Sequence, residues 1–360
     1  MLPSCWQQPQ SRELVHFITR IGTALIFNWR SSSSCRFRSR LMSFVIASPH
    51  SPLRSPRRRL LKLAAIASLL CAVLLVAGVI AVGLLLSAPA GAIVGAAPAD
   101  LPVESVSIAS GSGATLRGWF IPGRTGAGAV VLMHGVHANR LAMLRRARLF
   151  HAEGFAVLVF DFQAHGESTG SRITFGYREG QDAAAAIAYV RARLPNERIG
   201  AIGSSLGGAA ALLAPAPLDV DALVVESVYS DIDAAIENRI VAVLGPIGAV
   251  VAPPTTALFK LVLPPFLGVS AADLRPIDRI AQVRAPVLVA GGMLDHLTSI
   301  VETRGMFARA NEPKQLWVVA RARHVDLEGF VPDEYRSHVL AFMLETLRTN
   351  GPRTSRPVVT

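Results

Sequence analysis

Cysteine is nearly absent from this 360-residue chain: Cys5, Cys35 and Cys71 are the only three, and none follows position 71. The long C-terminal part therefore has no disulfide staple, no cysteine nucleophile and no thiolate metal site, and its stability must come from a packed core. Charge is also sparse, 17% of residues against 51% hydrophobic, which excludes an intrinsically disordered chain. Uncharged runs free of strong helix breakers are rarer still. Only one exceeds about 20 residues, which argues against a multi-span channel or transporter. No self-similar period of about 20 to 50 residues occurs, so repeat architectures are excluded.

Acids are missing from one region in particular. Residues 1–62 hold a single acid, Glu13, against eleven of the 36 basic residues. The remaining 25 basic residues face 24 acids, so all but one of the +11 net charges belong to the N-terminal segment and the rest of the chain is close to neutral. A nucleic-acid partner for the main domain loses its support, because such binding needs a basic folded surface.

What is present begins with residues 63–86, 24 residues without charge or proline. As a helix rising about 1.5 Å per residue they reach about 36 Å, enough for a hydrocarbon core of about 30 Å. The expectation is one transmembrane helix. Arg54, Arg57, Arg58, Arg59 and Lys62 lie on its N-terminal side, so the positive-inside rule keeps residues 1–62 cytoplasmic and places everything after Leu86 outside the cytoplasm. A cleaved secretory signal is the rival, since residues 87–92 (Ser-Ala-Pro-Ala-Gly-Ala) offer small residues at the right place. A signal core of about 7 to 15 residues is shorter than this run, which favours an uncleaved anchor in the cell membrane. Residues 1–41 show no clean pattern, and Met42 would itself open a compact signal-anchor, so the mature protein is expected to start there.

Residues 87–102, rich in Ala, Gly and Pro, read as a linker, and residues 349–360 as a flexible tail. Between them, 103–348 forms one domain. Residues 103–109 and 114–121 alternate across Gly111-Ser112-Gly113 as a hairpin. Strand-length apolar runs at 129–133, 155–160, 198–202, 222–225, 286–290 and 315–319 then alternate with helical patterns at 141–153, 178–193, 206–214, 300–310 and 333–347. This is an α/β class with a mostly parallel sheet flanked by helices, in which the chemistry belongs at the carboxyl ends of the strands.

After the run 198–202 stands Gly203-Ser204-Ser205-Leu206-Gly207-Gly208, a G-x-S-x-G with Ser205 at its centre. A sharp strand-to-helix turn projects the hydroxyl clear of the sheet, and the flanking glycines let strand and helix approach. A serine needs a base, and the base an orienting acid. His324 follows the last strand and Asp295 the one before it, giving the order serine, acid, histidine. Glu226, at the end of the strand after Ser205, and Asp326 are the spare acids; Asp295 could alternatively cap a helix at Thr298 or Ser299. His165 reads as a structural turn residue and Asp161 as a turn-stabilising acceptor.

With these parts the sequence resembles the α/β-hydrolase superfamily of serine esterases, lipases and related peptidases. Leu132-Met133-His134-Gly135-Val136 looks like the family's HG-x turn, and Asp161-Phe162-Gln163-Ala164-His165-Gly166-Glu167-Ser168 its D-x-x-x-H-G-x-S turn, with Gln163-Ala164 in place of the more usual Arg-Gly. Residues 176–182 resemble the start of its second helix. The resemblance spans about 103–348 and implies a catalytic set of Ser205, Asp295 and His324, with the amides of Val136 and Leu206 as the oxyanion hole. No cofactor or metal is implied. It also places an apolar insertion, about residues 228–284, where lids occur; residues 240–259 are uncharged, and Pro246, Pro253 and Pro254 are expected to interrupt them too often for a second span. An apolar lid suits a small-molecule acyl ester or lipid-like substrate. The implied activity is that of a carboxylesterase-like serine hydrolase; a serine peptidase or thioesterase on the same fold, and a catalytically silent membrane-anchored scaffold, remain open. Oligomeric state is not legible.

Overall fold

The computed structural model describes residues 56–348. Most of the expected cytoplasmic segment, the alternative start at Met42 and the tail lie outside the described residues. The chain divides into two units within the first helix of the described residues, Met1–Cys71 and Ala72–Thr360. In the first unit the described part is the start of helix α1 (Pro56–Leu86), whose Leu60, Leu61, Leu63, Ile66, Leu69 and Leu70 are exposed. Among the described residues α1 is the one helix long and apolar enough to cross a membrane.

The second unit is built on an eight-stranded sheet. Its strands are β2 (Glu104–Ala109), β3 (Thr115–Ile121), β4 (Ala129–Met133), β5 (Ala156–Phe160), β7 (Ile199–Ser204), β8 (Ala222–Glu226), β9 (Val287–Gly292) and β10 (Lys314–Val319). Two dipeptides, β1 (Ala90–Gly91) and β6 (His165–Gly166), pair separately. Across the sheet the order is β10-β9-β8-β7-β4-β5-β3-β2, with every pairing from β5 to β10 parallel and the β2–β3 hairpin attached antiparallel. Parallel strands covered on both faces must be apolar on both, and β4, β5, β8 and β9 are buried at every position.

Alternate side chains of these strands feed two separate cores. Val131, Met133, Leu158, Ala201, Val225 and Val289 face helices α3 (Tyr177–Arg193) and α4 (Leu206–Leu213). Val130, Leu132, Val159, Ile202, Val224 and Leu288 face α2 (Leu144–Ala152) and the C-terminal α9 (Ala341–Leu347). Further helices are α5 (Ile232–Leu244), α6 (Pro246–Val262) and α7 (Pro264–Leu267), which lie in the insertion, and α8 (Ile300–Arg309) after β9.

Two expectations need correction. Residues 87–102 are no free linker: Ser87 and Val94 are buried, β1 pairs with β6, and Glu167 Oε1 accepts from the Val94 amide at 3.1 Å. Small residues let this backbone lie flat on the domain, so composition alone misjudges it. Pro253 and Pro254 do not interrupt α6, which runs through both; at 17 residues it still falls short of a span. The expected helix at 333–347 is present as one unbroken helical run from Pro332 to Leu347, with a π segment at Arg336–Leu340 ahead of α9.

Candidate active site

The G-x-S-x-G turn is a close approach of three backbones. A Cβ on Gly203 would stand 2.5 Å from the Gly207 carbonyl carbon, and one on Gly207 would collide with the Met133 carbonyl, so both positions require glycine. Between them Ser205 takes φ 51°, ψ −111°, a conformation that costs a side-chain-bearing residue energy, while its amide donates to Glu226 O at 2.8 Å. The turn ends β7 and starts α4, so Ser205 stands at the carboxyl edge of the sheet.

His324, in the loop after β10, reaches it. Ser205 Oγ lies 3.2 Å from His324 Nε2, and His324 Nδ1 lies 2.8 Å from Asp295 Oδ2. The carboxylate partner assigns the proton to Nδ1, leaving Nε2 to accept from the serine. Asp295 is buried, and burial would raise its pKa; bonds from His324 and Thr298 outweigh that and hold it below the ordinary carboxylate value. Its Oδ1 accepts the amides of Leu297 at 2.8 Å and Thr298 at 2.9 Å, and its Oδ2 also accepts Thr298 Oγ1 at 2.7 Å. Asp295 thus closes the turn before α8 and holds the histidine at once, while the cap of α8 is Ser299.

The spare acids are committed elsewhere. Glu226 accepts from Arg146 Nη2 at 2.7 Å and from Tyr335 Oη at 2.6 Å, all three groups being buried. Asp326 takes the other arm of Arg146 at 2.5 Å and caps the turn at Gly329. Arg146, Tyr335 and Thr298 are residues that periodicity could not flag, since each matters through a partner far away or on the next loop.

Opposite Ser205 lies the turn 134–137. The Cβ position of Gly135 is 3.7 Å from Ser205 Cβ, and the amides of Val136 and Leu206 make no hydrogen bond among the described residues. Two histidines hold this turn. His134 donates from Nδ1 to Gly135 O at 2.7 Å and accepts the Phe162 amide on Nε2 at 3.1 Å. Full burial lowers its pKa to about 3, with His165 adding repulsion, so it stays neutral. His165 accepts the His137 amide on Nε2 at 3.1 Å and donates from Nδ1 to Gln163 O at 2.9 Å, and burial lowers its pKa too. His165 is therefore the structural turn residue expected of it. Asp161 accepts the amides of Arg140 at 2.7 Å and Glu167 at 2.9 Å and pairs with the Arg140 guanidinium.

A cavity of about 400 Å³ adjoins Asp295, lined by Asn238, Val241 and Ala242 of α5 and by His296 and Ser299. Arg239, also on α5, is unpaired with any carboxylate among the described residues; its Nη1 donates to Ala235 O at 2.8 Å. Burial lowers its pKa against the pull of Tyr229, Asp295 and Glu302.

Comparison with known proteins fits this geometry. Over 244 residues the sequence is 30% identical to the uncharacterized protein Rv2307c of Mycobacterium tuberculosis, covering 67% of this chain and 79% of that protein. The family model described as serine aminopeptidase, S33, matches residues 125–260. The structure superposes on the esterase Pf2001 of Pyrococcus furiosus with TM-score 0.60 and 25% identity, covering 73% of this chain and 98% of that one. The chain belongs to the α/β-hydrolase superfamily. The α/β hydrolase GrgF of Penicillium sp. sh18 shares the fold at TM-score 0.55 and 19% identity, over 69% of this chain and all of that one. As an α/β hydrolase the chain is a member of a hydrolase family, and the expected fold class of a mostly parallel sheet flanked by helices holds.

Proposed function

We propose that this α/β hydrolase is a membrane-anchored carboxylesterase that cleaves acyl esters through an acyl-enzyme. Ser205 attacks the carbonyl, His324 takes its proton and returns it to the leaving alcohol, and Asp295 orients the ring and stabilises the imidazolium. Negative charge building on the carbonyl oxygen is received by the Val136 and Leu206 amides, each such donor worth about 3 kcal/mol. Water, activated by the same histidine, then releases the acid. The observation that carries the reading is the chain of contacts from Asp295 through His324 to Ser205 at 2.8 and 3.2 Å, beside two amides with no hydrogen-bond partner among the described residues.

An ester is preferred to a peptide for a stated reason. An aminopeptidase needs a carboxylate free to receive the substrate's ammonium group. At the cavity beside Asp295, that carboxylate is occupied as above, and Glu302 accepts from Ser230, Asn238 and Ser299. The apolar α5–α6 segment suits an acyl chain instead. Helix α1 serves as the anchor, with Arg57, Arg58, Arg59 and Lys62 on the cytoplasmic side and the hydrolase unit on the other.

The test is labelling of the full chain with a fluorophosphonate, followed by turnover of acyl esters of graded chain length and of aminoacyl amides. Labelling abolished by Ser205→Ala, with ester turnover exceeding amide turnover, is the expected result. A folded parent that does not label overturns the esterase in favour of a silent scaffold, and preferred amide turnover overturns it in favour of a peptidase.

A further inference from the structure

A helix surrounded by lipid has no need to bury one stripe of its surface unless protein covers it. In the part of α1 belonging to the hydrolase unit, Val79 and Gly83 are buried and Val76, Ile80 and Leu86 half-buried, a helical stripe of three- and four-residue steps. The lid covers it. Val79 packs with Phe259, Leu263 and Leu267 of the α6–α7 region. At Gly83 the approach is closer still: Leu263 Cδ1 stands 2.6 Å from where a Cβ would sit. The last turn of α1 is tied to the active-site rim as well, since His137 Nε2 donates to Leu86 O at 3.2 Å and the Ile173 amide donates to Ser87 O at 2.8 Å.

These contacts fix depth. Counted from Leu63, a hydrocarbon core of about 30 Å is used up after about 20 residues, near Val82. Val79 then lies about 5 Å inside the boundary, and lid residues packed on it reach the same level. The lid surface beside this contact is apolar and uncovered: Leu261 is 76% exposed and Phe266 47%. At the other end of α6, Ile247 is 69% and Val250 76% exposed, within a stretch, 241–251, that has no charged residue. A contiguous apolar surface of this kind marks an interaction site. Because it continues from the face clasping the anchor, its partner is the medium around the anchor.

We infer that the exposed apolar face of the lid is seated in the bilayer leaflet next to α1, so that the acyl ester enters the site from the membrane. The inference rests on the anchor and esterase readings proposed above. The lid, the end of α1 at residues 79–86 and the oxyanion turn are then linked, and the substrate class is a bilayer-resident acyl ester that reaches the site from the leaflet in which Leu261 and Phe266 are seated.

The full chain reconstituted in phosphatidylcholine vesicles tests this in two ways. First, Phe266→Trp adds emission that brominated phosphatidylcholine quenches if the lid is seated. Second, Leu261→Glu with Phe266→Glu lowers hydrolysis of a long-chain fluorogenic ester carried in the vesicles about tenfold or more, while a water-soluble acetate ester is cleaved within about twofold of the parent rate. Unquenched emission, or equal loss on both esters, overturns the inference. Release of the parent chain from vesicles by alkaline carbonate overturns it together with the anchor. If the parent cleaves neither ester, the esterase reading fails alone, and the quenching still decides where the lid sits.

Discussion

The carboxyl end of the sheet and the lid solve opposite problems with opposite materials. At the sheet end nearly every polar side chain has two or more partners: Asp295 accepts from four groups, His134 and His165 each use both nitrogens, and Glu226 is held by Arg146 and Tyr335. The lid, although it too carries side-chain bonds such as those of Asn238, presents Ile247, Val250, Leu261 and Phe266 to the outside. Directional bonds over-determine atoms that must meet within a few tenths of an ångström. Non-directional apolar surface suffices where the requirement is only to cover a chain or touch a membrane. Changes at the sheet end should therefore act on chemistry or folding, and changes in the lid on substrate access.

The largest break should come from Ser205→Ala, lowering ester turnover about 10⁵-fold or more without moving the melting temperature, as steady-state kinetics and calorimetry would report. Asp295→Asn keeps the turn but presents the wrong partner to His324 Nδ1, and a loss of about 10⁴ in kcat is expected. A loss below tenfold would shift the orienting role to another acid.

Arg146→Met tests structure in place of chemistry. It strands Glu226, buried, without its cation, and should cost about 3–5 kcal/mol in urea unfolding; adding Glu226→Gln should recover part of that. His134 predicts a pH effect. Its pKa is about 3 in the fold and 6.5 unfolded, so the unfolded chain takes up the proton first as pH falls. Stability is unaffected by this group above about pH 6.5 and is lost as pH falls from there toward 3, by up to about 1.4 kcal/mol per pH unit. His134→Gln should flatten that slope in unfolding titrations, whatever it does to stability at neutral pH. The smallest effect at the sheet end belongs to Thr298→Val, which removes one donor to Asp295 and should lower kcat about tenfold with KM little changed.

Much of this comparison was legible in advance for the sheet end. Apolar runs such as 129–133 match β4 residue for residue because a strand buried on both faces leaves an unbroken hydrophobic signature. Ser205, Asp295 and His324 could be named because each follows an apolar run of strand length, and such runs are local in the sequence. Chain order favoured Asp295 over Glu226, but what occupies Glu226 was not legible, since Arg146 reaches it across 80 positions of sequence. The 87–102 segment misled for a related reason: alanine and glycine permit close backbone docking as readily as they permit freedom. Pro253 and Pro254 misled differently, as neighbouring packing can carry a helix past bonds that proline removes.

By itself the sequence determined the alternation of strands and helices, the strained turn at Ser205 and the one membrane-length helix, because burial and periodicity are local properties of a chain. Only the tertiary structure decided which carboxylate meets His324, that two histidines clamp the turn at 134–137, and that Leu263 of the lid lies against Gly83 of α1. Those outcomes depend on distances between residues far apart in sequence, and such distances exist only after the core has packed.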